Sequence, residues 1–231
     1  MNPTSMLNWW PRVSGLDIPM PETEIIEIGH DAMIGLCDGD SSGIVPFTSQ
    51  IQAVAERIGY PLFLRTDLAS GKHDWENTCF VQRPDDLLAH IVAVVEDNEM
   101  GWLDYRAIVI REYVQMDTAF TAFYGNLPIG RERRYFVCDE EIECHHPYWP
   151  ADAFERHTPS VDNWEEVLVE LSIESADEVS LLTAYAIQVA ACFEGYWSVD
   201  FCRAADGVWY FIDMAEGDKS WHPACVIADA R

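Results

Sequence analysis

The sequence contains no run of 18 or more apolar residues, the length that a membrane-spanning helix requires. The segment from Met1 to Pro11 also lacks the basic and then apolar order of a secretory signal peptide. The seven cysteines form an odd set without CxxC spacing, which favours reduced, mostly buried thiols over a disulfide framework. We therefore expect a cytoplasmic protein that neither spans a membrane nor is secreted.

Basic residues are also scarce. Fourteen lysines and arginines stand against 40 aspartates and glutamates, which gives a formal net charge of −26, and only Lys72 and Lys219 are lysines. A nucleic acid needs counter-charge from its protein, so this balance argues against a nucleic-acid partner. A polyphosphate ligand would have to lie where the few cations converge or where metal ions intervene. A solvated acidic surface that aids solubility accounts for the charge itself.

The chain has 231 residues, 49% of them hydrophobic, which predicts a sizeable folded core. No repeat, low-complexity tract or obvious linker divides it, so we expect a single domain with two lobes, about residues 15–115 and 116–231. Apolar spacing predicts helices at 50–58, 84–95, 164–171 and 179–193. Apolar and β-branched runs predict strands at 62–65, 79–81, 107–114 and 133–137. This order of elements predicts an α+β class with antiparallel pairs.

A hairpin near the end of the chain carries a geometric inference. An Asp-Gly pair at 206–207 predicts a two-residue turn between strands at 197–203 and 208–214. Such a turn places Asp200 directly opposite Asp213, with both side chains on one face. Like charges so placed are destabilising unless something compensates them, and a carboxylate pair suits Mg²⁺ or Mn²⁺. The alternatives are a solvated strand end or a bulge that breaks the register.

Seven segments, in order along the chain, resemble motifs of the ATP-grasp superfamily. They lie at 15–23, 55–65, 70–72, 110–114, 132–137, 198–201 and 211–215. Each is short, and their order and spacing carry the resemblance. Arg65 stands where most members have a phosphate-binding lysine, while Lys72 is retained. This combination is most similar to the compact clade of phage and bacterial ATP-grasp proteins, and the cell-division-cycle chaperones are a more distant likeness.

The resemblance implies an ATP-grasp fold in which ATP and Mg²⁺ (or Mn²⁺) lie in a cleft between two α+β lobes with mainly antiparallel sheets. The nucleotide-binding residues that it implies are Arg65, Ser70, Gly71, Lys72, Arg111, Glu112, Tyr113, Val114 and Asp117. Arg134 and Lys72 are the implied catalytic residues. Asp200 and Asp213 are the implied metal ligands. Ala215 stands where members have Asn, so a second metal ion would need a substitute ligand such as Glu216.

The function that the resemblance implies is an ATP-dependent carboxylate–amine (or thiol) ligase. Such an enzyme acts through an acyl phosphate and releases ADP, and its substrates here would include an unknown carboxylate and amine or a peptide or protein. We expect this chain to lack most of the separate N-terminal domain of larger members. An ATP-binding assembly chaperone, or an interaction module without turnover, is the alternative.

Simpler interpretations of the cationic residues remain open. Arg65 can extend from a strand end into solvent, and Lys72 can belong to an ordinary surface turn. Arg134 shares a strand face with Glu132, so a structural ion pair competes with a catalytic role. Glu112 can be an ordinary carboxylate at the hinge edge.

Zinc-type ligands also cluster in the second half of the chain, at Cys138, Cys144, His145 and His146. Their spacing lacks a CxxC or HxxxH pair, so we do not expect a zinc site. Lys219 and His222 follow the second metal-binding strand. They face either an acceptor substrate or solvent.

Overall fold

The computed structural model describes residues 2–154, 157 and 159–223. Its helices are α1 Met6–Val13, α2 His30–Met33, α3 Thr48–Ile58, α4 Leu87–Met100, α5 Trp164–Leu171 and α6 Ala176–Ala190. Its strands are β1 Thr23–Glu27, β2 Leu62–Thr66, β3 Phe80–Val81, β4 Ala107–Glu112, β5 Thr118–Ala122, β6 Leu127–Gly130, β7 Glu132–Cys138, β8 Glu141–Pro147, β9 Tyr196–Arg203 and β10 Trp209–Glu216. Within this part of the chain, none of the helices combines the length and the apolar composition of a membrane span.

The first sheet has the strand order β1-β4-β2-β3, and its neighbouring strands are antiparallel. Alternation along β2 and β4 gives the sheet two faces. One face is apolar, with Leu62, Leu64 and Ile110 packed in a core shared with α3 and α4. The other face carries Arg65 and Arg111, which belong to neighbouring cross-strand pairs. The sheet therefore presents two buried arginines away from its own core.

The second sheet has the strand order β10-β9-β7-β8 and is also antiparallel. Its apolar face packs against α6 and against α1, which contributes the fully buried side chains of Met6 and Trp9. Trp9 makes an edge contact with Phe211 of β10, with 5.8 Å between ring centroids. The opposite face carries Arg134 directly across from Asp200. The two antiparallel sheets with their helices confirm the α+β class.

The predicted two-residue turn of the β9–β10 hairpin is wrong, but the predicted carboxylate pair is confirmed. The loop has three residues, 205–207, because the amide of Ala204 donates to the carbonyl of Val208 at 2.8 Å. Gly207 takes the left-handed conformation, with a φ of 88°, that such loops need at their last position. A β-bulge at Ile212 then shifts the register by one residue. The bulge brings Asp213 opposite Asp200.

The short hairpin β5–β6 forms a third unit. It packs with Trp75, Trp149, Phe154 and the buried side of α5 in a separate aromatic cluster. The chain at 73–76 also bonds to the turn of this hairpin, since Glu76 N donates to the Gly125 carbonyl at 3.1 Å. The hairpin therefore holds the loop that follows β2. The remaining short segments are 3-10 helices at Ile34–Asp38, Val45–Phe47, Lys72–Asp74, Pro84–Asp86, Ala151–Phe154 and Gly217–Lys219.

Candidate functional site

A cleft of about 480 Å³ lies between the polar faces of the two sheets. Four of the chain's 14 basic residues line it, and so do the opposed carboxylates of β9 and β10. The cations are Arg65, Lys72, Arg111 and Arg134, and the opposed carboxylates are Asp200 and Asp213; Asp97, Glu112 and Glu132 also line the cleft. In a chain with a formal charge of −26, such a convergence of cations marks a place where an anion can bind.

Arg65 connects the two sheets across the cleft. Its Nη1 atom donates to Asp213 Oδ2 at 2.8 Å, and its other nitrogens donate to the carbonyls of Thr66 and Leu68. Only 4% of Arg65 is exposed, so the interpretation in which it extends into solvent is wrong. The side chain of Asp213, which lines the cleft, is 38% exposed, so Asp213 is the solvent-accessible partner of this ion pair.

Arg134 and Asp200 form a bidentate pair on the second sheet. Nε and Nη2 of Arg134 each donate to one carboxylate oxygen of Asp200 at 2.7 Å. Burial works against the cation, but Asp200 outweighs it and raises the pKa of Arg134 above its ordinary value. The carboxylate that neutralises Arg134 is therefore Asp200 rather than Glu132. The repulsion expected between Asp200 and Asp213 is compensated by one arginine on each carboxylate.

Arg111 is the least satisfied of the cations. Its Nε donates to Thr23 Oγ1 at 2.9 Å and its Nη1 donates to the Ile212 carbonyl at 2.6 Å. Within the described residues its buried Nη2 atom has no hydrogen-bond partner. Burial, with the nearby charge of Arg65, lowers the pKa of Arg111 to about 10. A buried donor of this kind favours an acceptor oxygen from a ligand.

Lys72 enters the cleft from the loop after β2. Gly71 precedes it in the left-handed conformation, with a φ of 62°, which favours glycine. The Nζ atom of Lys72 donates to Tyr148 Oη at 3.0 Å and lies 4.3 Å from the centre of that ring. Burial works against the ammonium, but Tyr148 and Glu132 outweigh it and raise the pKa of Lys72. Lys72 is thus a charged cleft residue rather than part of an ordinary surface turn.

Glu132 is a buried carboxylate beside these cations. It accepts a hydrogen bond from Trp149 Nε1 at 2.7 Å. Burial raises the pKa of Glu132, although Lys72 and Trp149 oppose the shift. Glu132 therefore stabilises the charge of Lys72 and holds Trp149 at the wall of the cleft.

The segment after β4 supplies backbone to the cleft. Glu112, Tyr113 and Val114 all line it. The exposed carboxylate of Glu112 accepts from the amide of Glu22 at 3.1 Å, so in this structure it closes the β1–β4 edge. The ring of Tyr113 packs against Phe80, with 4.9 Å between centroids. These side-chain contacts leave the backbone of the segment at the cleft.

Two predicted residues lie outside the cleft lining. Asp117 pairs with Arg203 at 3.2 Å, next to the turn of the β9–β10 hairpin. Glu216 pairs with Lys219 in the following turn. Neither belongs to the described residues that line the cleft, so the structure does not place Asp117 or Glu216 with the other predicted site residues.

The donor atoms at the cleft suit one kind of metal site. Among residues 2–154, 157 and 159–223, no three His, Cys, Asp or Glu side chains form a group that could hold a metal ion. Asp200 and Asp213 nevertheless supply two opposed carboxylates, and Mg²⁺ is usually held by one or two carboxylates together with substrate phosphates. The residues therefore fit Mg²⁺ shared with a polyphosphate, and they do not fit an all-protein cage.

Asp97, Tyr148 and Cys202 are among the lining residues of the cleft that the sequence did not single out. Tyr148 contacts two cations, since the guanidinium of Arg134 lies 4.5 Å from the centre of its ring. Burial raises the pKa of Asp97, which comes from α4 and lies behind the Gly71 turn. The adjacent aromatic residues Tyr148 and Trp149 are the one sequence feature that could have indicated Tyr148, but they lie in a stretch rich in Pro and Asp that is typical of a loop.

Comparison with protein families gives one match over most of the chain. The family is an ATP-grasp domain, family 3 of the R(2)K clade, and residues 43–231 match it. A search of curated proteins found no match.

Several solved structures share the fold. Cdc123 from Schizosaccharomyces pombe has a TM-score of 0.57 and 14% identity, and the alignment covers 93% of this chain and 83% of that one. A carboxyaminoimidazole ribonucleotide synthase from Aspergillus clavatus, complexed with ATP, has a TM-score of 0.51 and 14% identity over 92% of this chain and 44% of that one. The D-alanine–D-alanine ligase from Bacillus anthracis, complexed with ATP, has a TM-score of 0.50 and 14% identity over 92% of this chain and 54% of that one. The chain thus spans about half the length of the ligase and synthase structures that it resembles.

Proposed function

Because this chain belongs to family 3 of the R(2)K clade of ATP-grasp domains, we propose that it binds MgATP in the cleft and ligates a carboxylate to an amine or a thiol. The reaction would pass through an acyl phosphate and release ADP. The observation that carries the proposal is the convergence of four cations and two opposed carboxylates in one cleft.

In this proposal the cations bind and orient the phosphates. Arg65 and Lys72 come from the first sheet and its following loop, and Arg134 comes from the second sheet, so the phosphates would be held from both sides. Arg111 offers a further buried N–H. Catalysis of phosphoryl transfer rests mostly on positioning and on neutralising charge. The cleft needs no nucleophilic Ser or Cys for this step.

Asp200 and Asp213 would hold Mg²⁺ together with the phosphates, and the metal would neutralise the charge that develops on the transferred group. Each carboxylate is bonded to an arginine in this structure. Drawing the carboxylates towards the metal would release guanidinium N–H groups of Arg65 and Arg134 for phosphate oxygens. We therefore propose that the two ion pairs exchange partners when nucleotide and metal bind together.

Nucleotide binding is tested first by thermal unfolding with ATP, with and without Mg²⁺. A ligand at about one hundred times its dissociation constant adds about 2.7 kcal/mol to the free energy of unfolding. The matched variants are Arg65→Met, which should lose most of this stabilisation, and Arg83→Met, which should keep it because Arg83 is exposed and pairs with Asp86. No stabilisation of the unmodified protein by any nucleotide would contradict the proposal.

The ligase step is tested with hydroxylamine, which traps acyl phosphates as hydroxamates. Candidate carboxylates are supplied with MgATP, and ADP and hydroxamate should appear together. Formation of AMP and pyrophosphate would contradict an acyl phosphate.

An ATP-binding assembly protein without ligase turnover is the second candidate. It is favoured by the similarity of fold to Cdc123, which extends over 83% of that chain. Nucleotide binding without ADP formation, across a broad set of carboxylates and amines, would support this alternative.

A further inference from the structure

A second group of reactive side chains lies beside the cleft, on the same face of the second sheet. His146 of β8 is directly opposite Arg134, which is opposite Asp200. Cys144 lies two residues from His146 on the same strand and therefore shares its face. Neighbouring strands are about 4.8 Å apart, so His146 lies roughly 10 Å from Asp200 across the sheet.

The segment at 217–223 covers this group. Nη1 of Arg134 donates to the carbonyl of Trp221 at 3.2 Å, and the hydroxyls of Ser198 and Ser220 are 2.6 Å apart. The ring of His222 contacts Phe136, with 4.1 Å between centroids. These contacts hold His222 over β7 and β8, next to the arginine of the proposed phosphate site.

Cys144 and His222 form a thiol–imidazole pair. The distance from Cys144 Sγ to His222 Nε2 is 3.0 Å, and His222 Nδ1 lies 2.5 Å from the carbonyl oxygen of Pro223. A carbonyl oxygen can only accept, so Nδ1 carries the ring proton, and Nε2 is the acceptor for the thiol. A nucleophile bonded to a base, which a third group orients, is the arrangement of covalent catalysis.

His146 gives an independent indication of a ligand. Its Nδ1 donates to the Pro147 carbonyl at 2.7 Å, which leaves Nε2 as an acceptor. His146 is only 7% exposed, and this buried Nε2 has no partner among the residues that the structure describes. The ring lies beside Trp221 and His222, with centroids 5.4 and 5.7 Å away. A buried acceptor left unpaired favours a ligand that brings an N–H or O–H group.

We propose that Cys144 is an acyl acceptor and that His222 is its general base. This inference rests on the proposed function, because the acyl group would come from the acyl phosphate made in the cleft. Sγ attacks the carbonyl carbon, a C–S bond forms, and the C–O bond to the phosphate breaks. His222 takes the thiol proton and passes it to the departing phosphate oxygen, so the products are a thioester on Cys144 and inorganic phosphate.

The thioester then reacts with the second substrate, an amine. The amine nitrogen attacks the carbonyl carbon, a C–N bond forms, and the C–S bond breaks. The amine proton ends on the departing thiolate, which restores the thiol. Nε2 of His146 accepts a hydrogen bond from the incoming amine and positions it.

The same donor atoms suggest zinc, which also takes thiolate and imidazole ligands. In the described chain these side chains do not form a group of three that could hold a metal ion. The geometry is that of a hydrogen-bonded thiol and base, and it favours the acyl acceptor. Metal binding is therefore an outcome that the experiment must detect.

The experiment uses acetyl phosphate, a small acyl phosphate, on the full chain without ATP. Mass spectrometry of peptides should find an S-acetyl group on Cys144 that forms at least about ten times faster than on N-acetylcysteine, since activated thiols react far faster than ordinary ones. Cys37 is exposed and serves as the internal control. His222→Ala should reduce labelling of Cys144 to the rate of Cys37, with folding checked by circular dichroism.

Three results would overturn the inference. In the first, Cys144 is labelled no faster than Cys37 or N-acetylcysteine. In the second, the labelling rate of Cys144 is unchanged in His222→Ala. In the third, the purified protein contains stoichiometric zinc, and Cys144 is required for that zinc to bind. Iodoacetamide alkylation of the unmodified protein measures thiol reactivity without any variant, and it should modify Cys144 faster than Cys37. If acetyl phosphate labels Cys144 but ATP gives no ADP or hydroxamate with any carboxylate, the proposed ligase function is wrong, while the reactivity of Cys144 towards acyl phosphates stands.

Discussion

Substitution of Asp200 by Asn should destabilise the protein even in the absence of nucleotide. Asp200 is 6% exposed, and both of its carboxylate oxygens accept hydrogen bonds from Arg134 at 2.7 Å. Removing one partner of a buried ion pair leaves the other charge uncompensated, which costs about 3 to 5 kcal/mol. The amide of Asn keeps one acceptor oxygen, so we expect a loss of about 3 kcal/mol, at the low end of that range.

Asp213→Asn provides the contrast. Its carboxylate is also bonded to an arginine, but 38% of the Asp213 side chain is exposed, so water can replace the lost carboxylate oxygen, and Arg65 keeps its hydrogen bonds to the carbonyls of Thr66 and Leu68. We therefore expect a loss of at most about 1 kcal/mol. The exposed Asp85→Asn is the control and should change stability by less than about 0.5 kcal/mol. Sequence reasoning treats the two aspartates alike, as mutually repelling charges. The structure separates them by burial.

The measurement is urea unfolding of the three variants in EDTA, with the slope of free energy against urea held to the unmodified value. Equal effects of Asp200→Asn and Asp213→Asn would refute the argument from burial. An increase in stability for Asp200→Asn would show that repulsion between the carboxylates outweighs the Arg134 pair. In parallel, both variants should lose the magnesium dependence of ATP binding.

Three further predictions concern Lys72, Gly71 and the two histidines of β8. Lys72→Met should destabilise the apo protein, because it leaves Glu132 buried beside an apolar side chain. Adding Glu132→Gln should recover that stability without recovering the stabilisation by ATP. A double-mutant cycle of unfolding free energies measures both effects. Gly71→Ala should cost about 1 kcal/mol, because its φ is 62° and the new Cβ would lie 3.0 Å from Asp97 Oδ2; an unchanged melting temperature would contradict this. His146→Gln and His145→Gln should change the pH dependence of stability in opposite directions. Burial lowers the pKa of His146, so its contribution to the free energy of unfolding is lost as pH falls below the pKa of an unfolded histidine, about 6.5. A hydrogen bond to Glu174 raises the pKa of His145, so the contribution of His145 is present below that pH and is lost as pH rises. Between pH 8 and 5.5, His146→Gln should therefore lose less stability than the unmodified protein, and His145→Gln should lose more. Changes of equal sign in the two variants would refute the opposite pKa shifts of the two histidines.

Elements with strong local patterns could be predicted from the sequence. The helix predicted at 164–171 has those bounds in the structure, and the strand predicted at 133–137 lies within β7. Helix α6 begins three residues before the predicted start, because Ser175 caps it by accepting from the amide of Glu178. Periodicity predicts which face is buried, while a cap decides where the helix begins.

The elements that were not predicted depend on distant partners. Helix α1 contains Pro11, which counts against a helix in the sequence. It is stabilised by burial of Trp9 against Phe211, which lies near the other end of the chain. Strand β8 is mostly polar and resembles a loop in the sequence, and its pairing with the distant strand β9 through β7 is what makes it part of the sheet. The Arg65–Asp213 pair likewise joins residues 148 positions apart, and no local signal specifies it.

The hairpin shows how a correct contact can follow from an incorrect turn. A two-residue turn would place Asp200 opposite Asp213 without further irregularity, but the actual loop has three residues, and Ile212 is the residue that the register skips. Since a shift by one residue moves side chains to the other face of a sheet, the three-residue loop without this bulge would turn Asp213 away from the cleft. The carbonyl of Ile212 accepts the hydrogen bond from Arg111 Nη1, so the same bulge joins the second sheet to the first. Bulges are common beside functional sites because they redirect a side chain, and here the bulge both brings the second carboxylate to the cleft and links the two sheets that form it.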